Sequence, residues 1–292
     1  MTAIKNKIDF AAVVYVEGAN PNGDPLNGNR PRTTMNGLGE ISDVCIKRKI
    51  RNRLQDEGQR IFVQSADRAD DGMKSLKDRA EPVIKRAGKD VDKFISEACA
   101  EWFDVRAFGQ LFAFKSKDTD GVSVGIRGPV SIRPAMSVNP VNITSTQITK
   151  SVNSETKDKK GSDTMGMKYR VDNGMYVIRG SINPQLASKT GFSDEDADAF
   201  KAALRTIFVN DCSSARPDGS MDVVEVVWWK HNCPIGQYSS AVVHNSIKVV
   251  SKCDEPQCID DYEIKVEPLD GLETEIISSI RSEAGRSFRS TA

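Results

Sequence analysis

The sequence predicts an α+β fold whose central elements follow the order β-α-β-β-α-β. Three observations carry this expectation. Ile8 to Val16 is a run of strand length, apolar but for Asp9; Ser42 to Asp56 and Ser193 to Val209 are helical segments that open on a capping serine; Met175 to Ile182 and Val223 to Trp229 are β-rich runs on either side of the second helix. That order is ferredoxin-like, with Met175 to Ile182 belonging to a central pair of strands. Periodicity alone leaves several topologies open.

The first strand feeds an amide-rich, basic loop. Asn20, Asn22, Asn27 and Asn29 supply donors and acceptors, Arg30 and Arg32 supply planar donor forks, and Gly23, Gly28, Gly37 and Gly39 permit close backbone approach. This is polyanion-binding chemistry. It lacks an evident nucleophile and base, and lacks the GxxxxGK[ST] loop that cradles nucleotide phosphates, so a nucleic-acid strand suits it better than a nucleotide. The helix that follows has Ser42 as N-cap and an apolar stripe of Ile46, Ile50 and Leu54 that can dock on a sheet. At 100° per residue, Lys47 and Arg51 flank the stripe on one side and Lys49 and Arg53 on the other, forming cationic rails suited to a sugar-phosphate backbone. A solvated face on which Arg48, Lys49 and Arg53 balance Asp56 and Glu57 explains the same charges; the loop ahead of the helix favours the rails.

The segment Arg60 to Phe103 is charged and helical, with Val91, Phe94, Ile95, Ala98 and Trp102 on one face. Short strands are expected near Leu111 to Phe114 and at Val122 to Ile126. Of the 28 residues from Ser137 to Thr164, thirteen are Ser, Thr or Asn, with Lys157, Lys159 and Lys160 near the tip, which by itself describes a long flexible loop. After Met175 to Ile182, Ser193 caps a helix with Asp194, Glu195 and Asp196 in its first turn and Phe200, Leu204, Ile207 and Phe208 inward. Then come a tight loop, SSARPDG from Ser213 to Gly219, the strand Val223 to Trp229, and two more strands at Ile247 to Val250 and Tyr262 to Val266.

Composition narrows the function classes. Lys+Arg and Asp+Glu are both 41, so any nucleic-acid affinity comes from local segregation of charge. Lys5, Lys7 and Asp9 interrupt the apolar run that a signal peptide needs, and no apolar stretch is long enough to span a bilayer, so export and membrane insertion are not expected. The six cysteines fit reduced thiols, since only Cys253 and Cys258 are close and no second pair stands at zinc spacing. His231 and His244 are the two histidines; His231, beside Trp228, Trp229 and Lys230, reads as a strand-end residue or an RNA contact rather than a general base. Asp24 and Asp43 sit where they cap a turn and a helix, not in a metal-binding pattern. No metal or cofactor is expected.

The motifs NPNGDPLNGNRPR and GEISDVCIKRKIRNR, with DVRAFGQ at Asp104 to Gln110, GIRGPVSI at Gly125 to Ile132, and NDCSSARPDGSM and VVWWKH within Asn210 to His231, carry a specific resemblance. On them the chain resembles the repeated guide-RNA-binding backbone subunit of the type I-C CRISPR surveillance complex (Cascade), the CRISPR-associated protein seven family of the RAMP superfamily. It departs from the family pattern before Asn20, where Gly18 and Ala19 stand in place of an Asn-Gly pair. The resemblance implies one elaborated domain over residues 1–292, with an RRM-like palm (about 8–59, 104–134 and 171–292), a helical finger insertion (about 60–103) and a hairpin-like thumb insertion (about 135–170) that crosses the guide. It implies Met165 or Met167 as a wedge that splays a nucleotide, and Lys168 and Arg170 on nearby phosphates. With the loop and helix residues named above, Arg106, Ser213, Ser214 and Arg216 complete the expected RNA contacts.

The implied function is non-catalytic scaffolding in the cytoplasm. Copies would add head-to-tail along crRNA as a helical filament, present the guide to target DNA, and join other Cascade subunits and a recruited helicase-nuclease. Two other classes remain open: a RAMP-superfamily endoribonuclease working through His231 or His244, and a metabolic enzyme that binds a phosphorylated small molecule in the Asn/Gly loop.

Overall fold

The computed structural model describes residues 2–113, 123–149 and 165–278. Its centre is β1 (Ile8–Ala19), every residue of which from Ile8 to Val16 is buried, because neighbours lie on both edges and apolar layers on both faces. The chain then makes two short pieces, β2 (Gly23–Asp24) and β3 (Arg30–Pro31), that pair with each other, an edge strand β4 (Leu38–Ile41), and α1 (Asp43–Asp56). Ser42 caps α1 as expected, its Oγ accepting from the N–H of Cys45 at 3.3 Å, and Ile46, Ile50 and Leu54 are buried on the sheet.

A helical unit follows: α2 (Leu76–Ala87), α3 (Val91–Glu101) and α4 (Phe103–Phe108), then the hairpin of β5 (Gly109–Ala113) and β6 (Ser123–Arg127). It has a core of its own in which Phe62, Phe94, Trp102 and Phe112 pack ring to ring with Val83, Ala98, Val124 and Ile126. The β5–β6 hairpin therefore belongs physically to the helical unit, across the boundary near residue 103 expected from sequence. Val91, expected on the apolar face, is half exposed.

Next come β7 (Val130–Ile132), β8 (Ala135–Pro140), β9 (Ile143–Thr149) and β10 (Met165–Ile182). The strand expected at Met175–Ile182 is the C-terminal part of an 18-residue strand whose N-terminal half pairs with β9, Met165 opposite Thr149 through Val171 opposite Ile143. The Ser/Thr/Asn-rich segment thus contains a ladder; Lys157, Lys159 and Lys160 lie outside the described residues. After α5 (Pro184–Thr190), α6 (Asp194–Arg205) begins at a capping box between Ser193 and Asp196. Then follow β11 (Met221–Lys230), α7 (Ser240–Ser246), β12 (Ile247–Ser251), β13 (Tyr262–Val266) and β14 (Glu273–Ser278).

The main sheet runs β14-β11-β1-β10-β8-β4 with antiparallel neighbours, β7 and β9 pairing with β10. One face carries α1 and α6 over Phe10, Phe200, Phe103 and Trp228; the other is covered by α7 and the β12–β13 hairpin over Ala11, Val13, Trp229 and Met175. This two-sided burial explains why the central strands carry apolar residues on both faces, as in Phe10–Val16 and Val226–Trp229.

Candidate nucleic-acid interface

The loop after β1 is fastened at both ends. Asn20 is buried; its backbone N–H donates to Ala215 O at 2.8 Å, within SSARPDG, and its Nδ2 donates to Asn29 O at 2.7 Å. Asn22 Oδ1 accepts the N–H of Ser42 at 2.9 Å, joining the loop to the start of α1, and Asp24 caps the turn Pro25–Asn27 and meets Arg32 at 3.3 Å. Asn20, Asn22 and Ser42 are therefore frame residues. What the frame presents is Leu26, Asn27, Gly28 and Asn29, all exposed, with Asn29 at φ 62° and Gly28 at φ 56°. Gly23 and Gly39 serve packing rather than ligand approach, since the Asn29 side chain and the Tyr176 ring occupy the space their side chains would need.

Arg30 crosses to the β9–β10 hairpin, its guanidinium 5.4 Å from the centre of the Tyr169 ring and 3.3 Å from Ser145 Oγ. On β10, Met165 and Met167 are exposed and share a strand face with Tyr169; Lys168 and Arg170 are exposed on the other, and Arg170 pairs with Asp172 at 3.4 Å. Ser213 and Ser214 are exposed in the loop after α6, where Ser213 and Arg216 close a tight turn.

Three expected contacts need correction. Lys49 is not on an exposed rail: it is 4% exposed and ion-paired with Asp211, and burial pushes its ammonium below the usual lysine value while Asp211 opposes the shift. Arg51 donates to the buried Asp104 at 2.8 Å, and Arg106 makes a two-pronged pair with Asp196 at 2.8 and 2.7 Å. The cause is common to all three. In each case a carboxylate on another element supplies the counter-charge to a buried or half-buried cation. Lys47, paired with Asp43 across one turn, and Arg216, paired with Asp211 at 3.1 Å, keep part of their surface open. Asp211 holds both Lys49 and Arg216, and nothing in the spacing of the sequence announced that role.

The histidines are interior. His231 Nδ1 accepts from the N–H of Gln237 at 2.9 Å, which leaves the proton on Nε2 to donate to Asp9 Oδ2 at 2.9 Å; His244 Nε2 donates to Gly180 O at 2.9 Å. The expected alternative of His231 as an RNA contact fails because the ring is 2% exposed and both nitrogens are engaged. Among the described residues no cluster of three or more His, Cys, Asp or Glu side chains could hold a metal ion, and no helix is long and apolar enough to cross a membrane.

A chain of a CRISPR RNA-guided surveillance complex in a pre-nicking form is 18% identical, with a TM-score of 0.45 over 76% of this chain and 75% of the other. A chain of a second CRISPR RNA-guided surveillance complex is 16% identical, with a TM-score of 0.42 over 76% of this chain and 68% of the other. A protein of Haloferax volcanii described as CRISPR-associated protein Cas7 is 28% identical over 213 residues, which is 66% of this chain and 61% of that protein, so the chain spans under two thirds of that relative's length. Residues 6–267 match the family model described as CRISPR-associated protein Cas7, and with that match covering most of its 292 residues the chain belongs to this family.

Proposed function

We propose that the protein is a non-catalytic guide-RNA-binding backbone subunit of a type I-C Cascade complex, adding head-to-tail along crRNA. The observation that carries this proposal is the bond from Asn20 N–H to Ala215 O. It brings the amide loop and SSARPDG, distant in sequence, onto one rim beside the start of α1. There Asn27, Asn29, Ser213, Ser214 and the partly open Arg30, Arg32, Lys47 and Arg216 offer donors without apolar walls, which suits a phosphodiester backbone and its 2′-hydroxyls better than an enclosed metabolite. The antiparallel order β11-β1-β10, with α1 and α6 on one face, supports the RRM-like palm.

In this account the β9–β10 hairpin is the base of the thumb, and Met165 or Met167 is the wedge. The guide is held without regard to sequence, base pairing reads target DNA, and cleavage belongs to a recruited helicase-nuclease. Other Cascade subunits close the ends of the filament. Burial of both histidines speaks against the endoribonuclease alternative. The test is purification with guide RNA, followed by Asn27→Ala with Asn29→Gly, which keeps the left-handed backbone of position 29, and Ser213→Ala with Ser214→Ala. Each pair should reduce retention of unrelated RNA sequences by a similar factor with the thermal midpoint unchanged; loss confined to one sequence, or no loss, removes the proposal.

A further inference from the structure

Arg133 stands directly opposite Arg179. β7 and β10 pair Ile132 with Gly180, and the ladder continues one residue further through a bond from Arg133 N–H to Arg179 O at 2.9 Å. Opposed residues of an antiparallel pair share a sheet face, and like charges placed this way repel. The face is the one under α7, because Arg179 is opposite Ala11 on its other side and its Nε lies 3.4 Å from His244 O. Arg133 is exposed and Arg179 half-buried. Among the described residues neither guanidinium has a carboxylate partner. The buried Asp9, two positions before Ala11 on β1, faces other groups: its Oδ2 meets His231 at 2.9 Å and Lys7 at 3.2 Å, and its Oδ1 lies 3.7 Å from His244 Nε2. Burial lowers the Arg179 pKa from its ordinary value and Arg133 adds to the shift. A half-buried guanidinium facing a second one without an acid is a site that lacks its anion.

We propose that Arg133 and Arg179 form a second anion site that takes a phosphodiester group of nucleic acid, on the sheet face opposite α1. The choice of phosphate over a protein carboxylate rests on the reading above that the chain works on nucleic acid. Two facing guanidinium groups without an acid suit a doubly coordinated phosphate better than a single carboxylate, and the arginine fork matches phosphate oxygens in pairs. The site is separate from the amide loop. Ala19, where that loop begins, is opposite Val171, and Arg179 lies eight positions further along β10, roughly 26 Å at about 3.3 Å per residue. The contact to His244 O uses one of five guanidinium donors, and leaves the others to a ligand.

Two variants test this: Arg133→Gln with Arg179→Gln, and Arg133→Glu alone. The second supplies Arg179 with a carboxylate, so it should raise the thermal midpoint and keeps the test independent of a folding defect. Both should weaken binding of a labelled, non-complementary duplex DNA several-fold, and the double variant should lower the salt slope by about two units. If guide-RNA retention is unchanged, the phosphate comes from a second strand; if retention falls as well, it comes from the guide itself. Either result supports the site. Unchanged affinity and slope for both nucleic acids overturn it, and leave the pair a structural feature or a contact to a protein acid. Should the unsubstituted protein retain no guide RNA while duplex binding still depends on the arginines, the backbone-subunit reading falls and the anion site stands.

Discussion

The ammonium of Lys49 on α1 is ion-paired with the carboxylate of Asp211, in the loop after α6, and the same carboxylate oxygen accepts from Arg216 Nε at 3.1 Å. One acid thus locks a buried cation of the first helix and orients a half-open cation of the SSARPDG loop. Removing the acid is predicted to hurt more than removing the base. Asp211→Ala strands a buried ammonium and should cost about 3 kcal/mol, whereas Lys49→Met replaces it with an apolar chain of similar length and should cost much less. Urea unfolding of both variants decides; equal losses would show that the pair contributes through packing alone.

Lys47 and Arg51 share one flank of α1, yet they should separate experimentally. Arg51→Ala leaves Asp104, which is 1% exposed and also accepts from the N–H groups of Phe62 and Val63, without its cation, at a cost of about 3 kcal/mol. Lys47→Ala should leave the thermal midpoint alone and flatten the salt dependence of RNA binding by about one unit. A stability loss at Lys47, or none at Arg51, would reverse the assignment.

His244 supplies a pH signature. Burial pushes its imidazole below the usual histidine value, with Arg179 and Arg133 adding to the shift and the Gly180 carbonyl and Asp9 opposing it. The unfolded chain therefore takes up a proton at a higher pH than the folded one. The corresponding stability is fully present above about pH 6.5 and is lost as pH falls below that toward the lower folded value, by at most about 1.4 kcal/mol per pH unit. His244→Gln should flatten this limb in urea midpoints taken at pH 7.5 and 5.5; an unchanged limb would place the proton elsewhere.

Met165 and Met167 are 67% and 49% exposed, so each substitution to Ala should shift the thermal midpoint by no more than about 1 °C. If one of them splays a guide nucleotide, its loss should lower the fluorescence of 2-aminopurine placed at the splayed position, and the other's should not. Equal and absent effects would leave both as surface residues.

What the sequence by itself determined is local. Ser42 and Ser193 cap their helices because a cap needs only a hydroxyl and the next turn, and Ile46, Ile50 and Leu54 go inward because a helix repeats every 3.6 residues. Ile8 to Val16 is a central strand because the apolar run from Phe10 to Val16 must be covered on both faces. The tertiary structure decided everything that depends on who arrives from far away. The ion pairs of Lys49, Arg51 and Arg106 were set by Asp211, Asp104 and Asp196, acids on other elements. The β9–β10 ladder was hidden because β9, with Thr, Ser and Gln on both faces, carries no period-two apolar signal, and only its backbone pairing with β10 identifies it. The meeting of Asn20 with Ala215, and of Arg133 with Arg179, follows from sheet register. Register is set by the packing of whole faces, which no short stretch of sequence contains.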